Sequence, residues 1–212
     1  MSLSASARRF AFATHVTTSV GWVGAVLVFV AIAGLGLASD DERVVRGAYL
    51  VMAPAAWFVL VPLAHGALLS GLVLSLGTAW GLFRHYWVAV KLLITAVSTA
   101  VLLVYMGTFR QMAGVAADPV VELGAVRNPS PLVHAVLAFF LLLAATVLAI
   151  YKPFGVTPYG ARTSGRHGAS DSSVNAFSVP WTSASPYLVA AAALVGILLL
   201  LLVHLSGSQF HH

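Results

Sequence analysis

From residue 86 the chain reads Tyr86-Trp-Val-Ala-Val-Lys91-Leu-Leu-Ile-Thr95-Ala-Val-Ser-Thr99-Ala-Val-Leu-Leu-Val-Tyr-Met-Gly107, an apolar run broken by one charge. About 20 such residues are enough to cross a bilayer as a helix. Trp87, Lys91, Thr95 and Thr99 recur every fourth position, so the polar residues form one stripe that faces a protein interior rather than lipid. Four further runs have the same character, at 11–37, 47–77, 131–151 and 186–206. The expected fold is therefore all-α, an integral membrane bundle of about five transmembrane helices forming a single domain. The segment 152–185, rich in Gly, Ser, Thr and Pro, reads as a flexible connection. Arg8 and Arg9 precede the first run in the manner of a signal peptide. That run is too long for a signal core and no small-residue cleavage site follows it, so it reads as a span.

Composition points the same way. Hydrophobic residues make up 60% of the 212 positions and charged residues 8%, against roughly 25% charged in a soluble domain. Mean hydropathy is +0.95. The absence of cysteine removes disulfides, thiolate metal sites, cysteine-held iron–sulfur clusters and covalent c-type haem. Any metal or haem must be held by His, Met, Lys, Tyr or carboxylates. The net charge of +5 comes from scattered loop residues, which suit anionic lipid headgroups and form no nucleic-acid patch.

Lysine and arginine set the expected orientation. Arg8, Arg9, Arg84, Lys152, Arg162 and Arg166 fall on one side, and Arg43, Arg46, Arg110 and Arg127 on the other. This places the N-terminus in the cytoplasm and the C-terminus outside, in a bacterial cytoplasmic membrane.

Ionisable groups at membrane depth are functional candidates by default. With helices alternating in direction, depth is read at about 1.5 Å per residue. His15, His65 and Lys91 then share the cytoplasmic half, and His134 and His204 share the outer surface. Trp22 follows His15 by two turns and lies on the same face. Pro62, one turn before His65, frees a backbone carbonyl and is expected to kink the second span. The small-residue pairs Gly66/Ser70 and Gly77/Gly81 allow close helix approach, for which packing within the chain is the simplest reading. His85 and His167 fall in connecting segments, and His211 and His212 at the end of the chain are set aside.

These elements together resemble a known group. His15-Val-Thr-Thr-Ser-Val-Gly-Trp22-Val-Gly24, Ser70-Gly71-Leu72, Trp80-Gly81, Trp87-x-x-x-Lys91-Leu92-Leu93 and Tyr151-Lys152-Pro153 resemble an uncharacterised family of bacterial integral membrane proteins over residues 10–160. The His…Trp and Trp-x-x-x-Lys elements are similar, more distantly, to the bacterial membrane protoporphyrinogen oxidase, which binds haem b, and to the copper-resistance inner-membrane protein superfamily. The resemblance implies a b-type haem held by His15, with Lys91 as the essential or catalytic lysine. Depth makes His65 the expected opposite ligand, with Trp22 and Trp87 packed around the macrocycle. The stretch Ala25–Ala31 lacks the arginine that the oxidase carries there.

The expected role is redox chemistry or electron transfer with a quinone or another redox partner, in which the chain acts as a haem-dependent membrane oxidoreductase. The alternatives are a copper or other metal transport component, with His15, His65, His134 and His204 as ligands, and a non-catalytic membrane subunit. Oligomer formation stays open.

Overall fold

The computed structural model describes residues 3–77, 85–151 and Gly196. The elements are α1 (Ala5–Ala38), α2 (Glu42–Ala55), a π-helical turn (Ala56–Leu60), α3 (Val61–Gly77), α4 (Tyr86–Ala117), the short α5 (Leu123–Val126) and α6 (Ser130–Tyr151). Four helical stretches, with α2, the π turn and α3 counted as one, are long and apolar enough to cross a membrane. The protein is an all-α membrane bundle. Of the fifth expected span, 186–206, Gly196 is described. It has helical backbone, and a Cβ there would lie 2.9 Å from Leu141 Cδ2 on α6. The rest of that span, His204 and the segment 152–185 lie outside the described residues.

The helices overrun the expected spans. α1 has 34 residues, about 51 Å at 1.5 Å per residue, against a hydrocarbon core of roughly 30 Å. α4 continues through Arg110 to Ala117. Hydropathy marks where lipid ends, whereas a helix ends where its backbone hydrogen bonds find a cap. The Ser4 side chain supplies one cap by accepting from the Ala7 N–H at 3.2 Å. Asp41 accepts from the Arg43 N–H at 2.8 Å and starts α2.

The second span is interrupted earlier than expected, before Pro62 rather than at it. Its wide turn falls at 56–60, between Pro54 and Pro62, and the Val61 N–H reaches back to the Ala56 carbonyl. Two prolines eight residues apart each remove a backbone donor, and the widened turn absorbs the mismatch.

α1 packs along the second span and α6, and α4 packs along the second span and α6. α1 and α4 therefore face each other diagonally across the interior. The main core runs from Trp22, Val26 and Phe29 on α1 to Tyr49 and Met52 on α2 and Tyr105 and Phe109 on α4. Side chains such as Phe10, Phe58 and Val104 are exposed on the outer surface, as a lipid-facing surface requires.

The face carrying residues 39–41 and 118–129, the loop face, is held by arginines. Arg46 donates to the carbonyls of Ala116, Asp118 and Val121 at 3.2, 2.8 and 2.7 Å, and to Glu42 Oε1 at 2.7 Å. Arg127 donates to the Leu37 and Ser39 carbonyls at 2.9 and 2.7 Å. Both cations thus satisfy carbonyls at helix C-termini, where orphan acceptors and the negative end of the helix dipole coincide. The Tyr49 hydroxyl donates to the Asn128 carbonyl and accepts from the Asn128 N–H. Opposite is the N-terminal face, where α1 and α4 begin.

Candidate functional site

His15 and Lys91 meet. Lys91 Nζ lies 2.9 Å from His15 Nε2 across the diagonal of the bundle. On its other side, His15 Nδ1 lies 3.0 Å from the Ala67 carbonyl and 3.1 Å from Ser70 Oγ, both on α3. The Ala67 carbonyl only accepts, so Nδ1 carries a proton and donates. Ser70 Oγ donates to the Gly66 carbonyl, which leaves its lone pair toward the ring. A doubly protonated ring would set Nε2–H against an ammonium. The pair therefore shares one proton in the Nε2···Nζ contact.

Local sequence explains this placement. Small residues let α1 and α3 approach. A Cβ on Gly66 would lie 2.7 Å from Thr18 Cγ2, and one on Gly71 would lie 3.1 Å from His15 Cε1. Any larger residue at 71 would crowd the imidazole. Along α4, Thr95 Oγ1 donates to the Lys91 carbonyl and Thr99 Oγ1 to the Thr95 carbonyl, at 2.9 and 2.8 Å. The threonine stripe satisfies itself within the helix and faces inward, with Thr95 and Thr99 buried.

The pair lines a cavity of about 470 Å³ near the N-terminal face, within the usual range for small-molecule sites, about 300–1,000 Å³. Phe12, Trp87, Leu68, Leu74 and Leu92 supply apolar wall, and Arg8 and Arg9 line it along with Lys91. Among the described residues, no carboxylate lines it. Arg8 and Arg9 are exposed at its mouth, whereas Lys91 is half-buried, and a cation so placed in a low-dielectric setting is costly unless a ligand supplies the opposite charge.

The remaining expected site residues separate. Trp87 joins His15 and Lys91 at this cavity. His65 is not among its lining residues, and its Nδ1 lies 2.8 Å from the Val61 carbonyl. His65 precedes the wall residue Ala67 by two positions, roughly 200° around the helix. Shared depth put it with His15, but the helix face takes it elsewhere. Trp22, two turns beyond His15, lines a second, smaller cavity of about 60 Å³ with His134.

His134, one turn from the start of α6, is buried within the bundle at 8% exposure. Its Nδ1 lies 2.9 Å from the Ser130 carbonyl, and its ring lies 4.4 Å from that of Tyr105. Among the described residues, no three His, Asp or Glu side chains gather to hold a metal ion.

The sequence reading missed several participants. Arg8 and Arg9 counted only toward orientation, although the helix begins before them and carries them into the cavity wall. Ser70 read as a packing residue and Gly71 only as part of the resemblance, although one holds the imidazole and the other makes room for it. Ser98 and Tyr105 follow Lys91 by seven and fourteen positions, a spacing that could have marked them as one inward face. Comparison with protein-family models, with curated proteins and with solved structures finds no match to this chain.

Proposed function

We propose that the chain is a redox protein of the bacterial cytoplasmic membrane that holds b-type haem in the His15–Lys91 cavity and exchanges electrons with a quinone or another redox partner. One observation carries the reading. A cavity of small-molecule size combines aromatic and aliphatic walls, one imidazole nitrogen whose lone pair faces Lys91, two arginines at the mouth and, among the described residues, no carboxylate. This donor set fits a planar apolar macrocycle bearing carboxylates. His15 Nε2 is the iron ligand in this reading, because Nδ1 is already committed to Ala67. Lys91 leaves Nε2 on its flexible stem and pairs with a propionate, as Arg8 and Arg9 do nearer the N-terminal face. Haem supplies one-electron chemistry when bound. The protein's part is to orient it, neutralise its carboxylates and keep water from its apolar faces. The Lys and Arg asymmetry supports an N-terminal face in the cytoplasm.

The test is the visible spectrum of protein purified from a haem-replete membrane, compared with Ala149→Trp, which fills the cavity from α6. The expected result is a Soret band and reducible α/β bands in the parent and their loss in the variant. A parent with stoichiometric copper and no Soret band would replace this reading with metal handling. A colourless, metal-free parent would leave a non-catalytic membrane subunit.

A further inference from the structure

The interior of the bundle has a second organised feature, and it belongs to the haem-free chain, in which His15 Nε2 and Lys91 Nζ are in contact. α1 and α4 run in the same direction on opposite sides of the axis, and their inward residues match at seven-residue intervals. His15 meets Lys91 at 2.9 Å. Seven positions later, Trp22 and Ser98 line the second cavity together, and seven beyond those Phe29 and Tyr105 line it as well. The axis is thus layered, with a polar pair near the N-terminal face, a small cavity in the middle and a hydroxyl cluster toward the loop face.

Three observations make this axis more than packing. Ser98 is 4% exposed and lines the cavity, and its Oγ makes no hydrogen bond to any described residue. A buried hydroxyl in that state calls for water or another polar partner. The cavity, about 60 Å³, has room for water, since one molecule needs roughly 10–15 Å³ by this kind of measure. Finally, hydrogen-bonding side chains lead from the cavity toward the loop face. Tyr105 donates to Ser130 Oγ at 2.8 Å, and Ser130 Oγ lies 3.3 Å from His134 Nδ1. Asn128 Oδ1 accepts from the Ser130 N–H at 2.9 Å and so fixes Ser130 at the start of α6, close to the loop face. In the other direction, Thr95 lines the first cavity one turn from Ser98, a rise of about 4.5 Å that one water spans.

We propose that the axis of the bundle is a proton-transfer path, running from the loop face through Tyr105, Ser130 and His134, across water held at Ser98, to the His15–Lys91 pair. Nothing is oxidised or reduced along it. A proton entering at the loop face displaces one at each hydroxyl and water in turn. At the His15–Lys91 contact, which holds one proton between two nitrogens, the Lys91 ammonium first releases a proton to the large cavity, and the arriving proton then restores it. The same steps run backward under the opposite driving force.

The test uses the full chain, free of pigment, in sealed vesicles loaded with a pH-sensitive dye. A potassium diffusion potential set with valinomycin drives protons inward. The parent should acidify the lumen faster than protein-free vesicles. Ser98→Val, which removes the hydroxyl and fills the cavity, should lower the protein-dependent rate about tenfold or more, equivalent to a barrier rise of about 1.4 kcal/mol. Ser98→Thr, which keeps a hydroxyl there, should stay within about threefold of the parent. Circular dichroism and gel filtration of both variants establish that they fold. A parent no faster than protein-free vesicles would overturn the proposal, as would a folded Ser98→Val matching the parent.

Discussion

Gly66→Ala probes the α1–α3 contact on which the site is built. A Cβ at 66 would lie 2.7 Å from Thr18 Cγ2 and 3.3 Å from Thr18 Cβ, so about 0.7 Å of movement is needed to reach an ordinary contact near 3.4 Å. Thr18 has no easy rotation, because its Oγ1 donates to the Thr14 carbonyl at 2.8 Å and a new rotamer would lose that bond. Separating the helices is the alternative, and it draws His15 from Ala67 and Ser70. Overpacking of this kind costs about 1–3 kcal/mol. Replacing a mid-helix glycine by alanine returns roughly 0.5–1 kcal/mol. The net expectation is a destabilisation of about 0.5–2 kcal/mol. Gly107→Ala on α4 is the control, because a Cβ there meets nothing within 4 Å. It should be neutral or stabilising by up to about 1 kcal/mol. Reversible unfolding in mixed micelles gives both values. Thr18→Ser removes Cγ2 and keeps the hydroxyl, so in the Gly66→Ala background it should recover at least half of the loss. Equal stabilisation by Gly66→Ala and Gly107→Ala, with no effect from Thr18→Ser, would refute the close approach.

Other perturbations separate structural from functional groups. Arg127→Ala strips the caps from the Leu37 and Ser39 carbonyls and should cost about 1.5–3 kcal/mol in the same unfolding assay, in keeping with hydrogen bonds from a charged donor. Ser70→Ala should cost less than about 1 kcal/mol, because the Ala67 carbonyl still holds the Nδ1 proton of His15 at 3.0 Å. A topology reporter at the N-terminus should read cytoplasmic and one inserted after Asp118 external. The reverse pattern would turn the N-terminal face outward.

Four of the spans and the shared depth of His15 and Lys91 were legible in the sequence for different reasons, whereas their direct contact was not. Long apolar runs state their own length. Lys91 stands out because a charge in such a run demands an inward face, and the i+4 threonines of α4 supply the direction. His65 shows the limit of that reasoning. Depth along a helix follows from counting, but the face depends on rotation, and the π turn between Pro54 and Pro62 lies just ahead of it. The burial of His134 depends on Tyr105, a contact between distant helices that no local pattern announces. The arginine caps were hidden for a related reason. Arg46 and Arg127 read as loop charges until α1 and α4 are seen to end beside them. Arg8 and Arg9 were assigned to a flank because hydropathy stops before the helix does.

The most direct measurement of the central claim is a haemin titration of the pigment-free protein and of His15→Ala, followed at the Soret band with circular dichroism as the folding control. Saturation is expected at one haem per parent chain, with a Soret position characteristic of imidazole ligation that is lost or displaced in folded His15→Ala. An unchanged band and stoichiometry in His15→Ala, or no saturable binding by the parent, would contradict it.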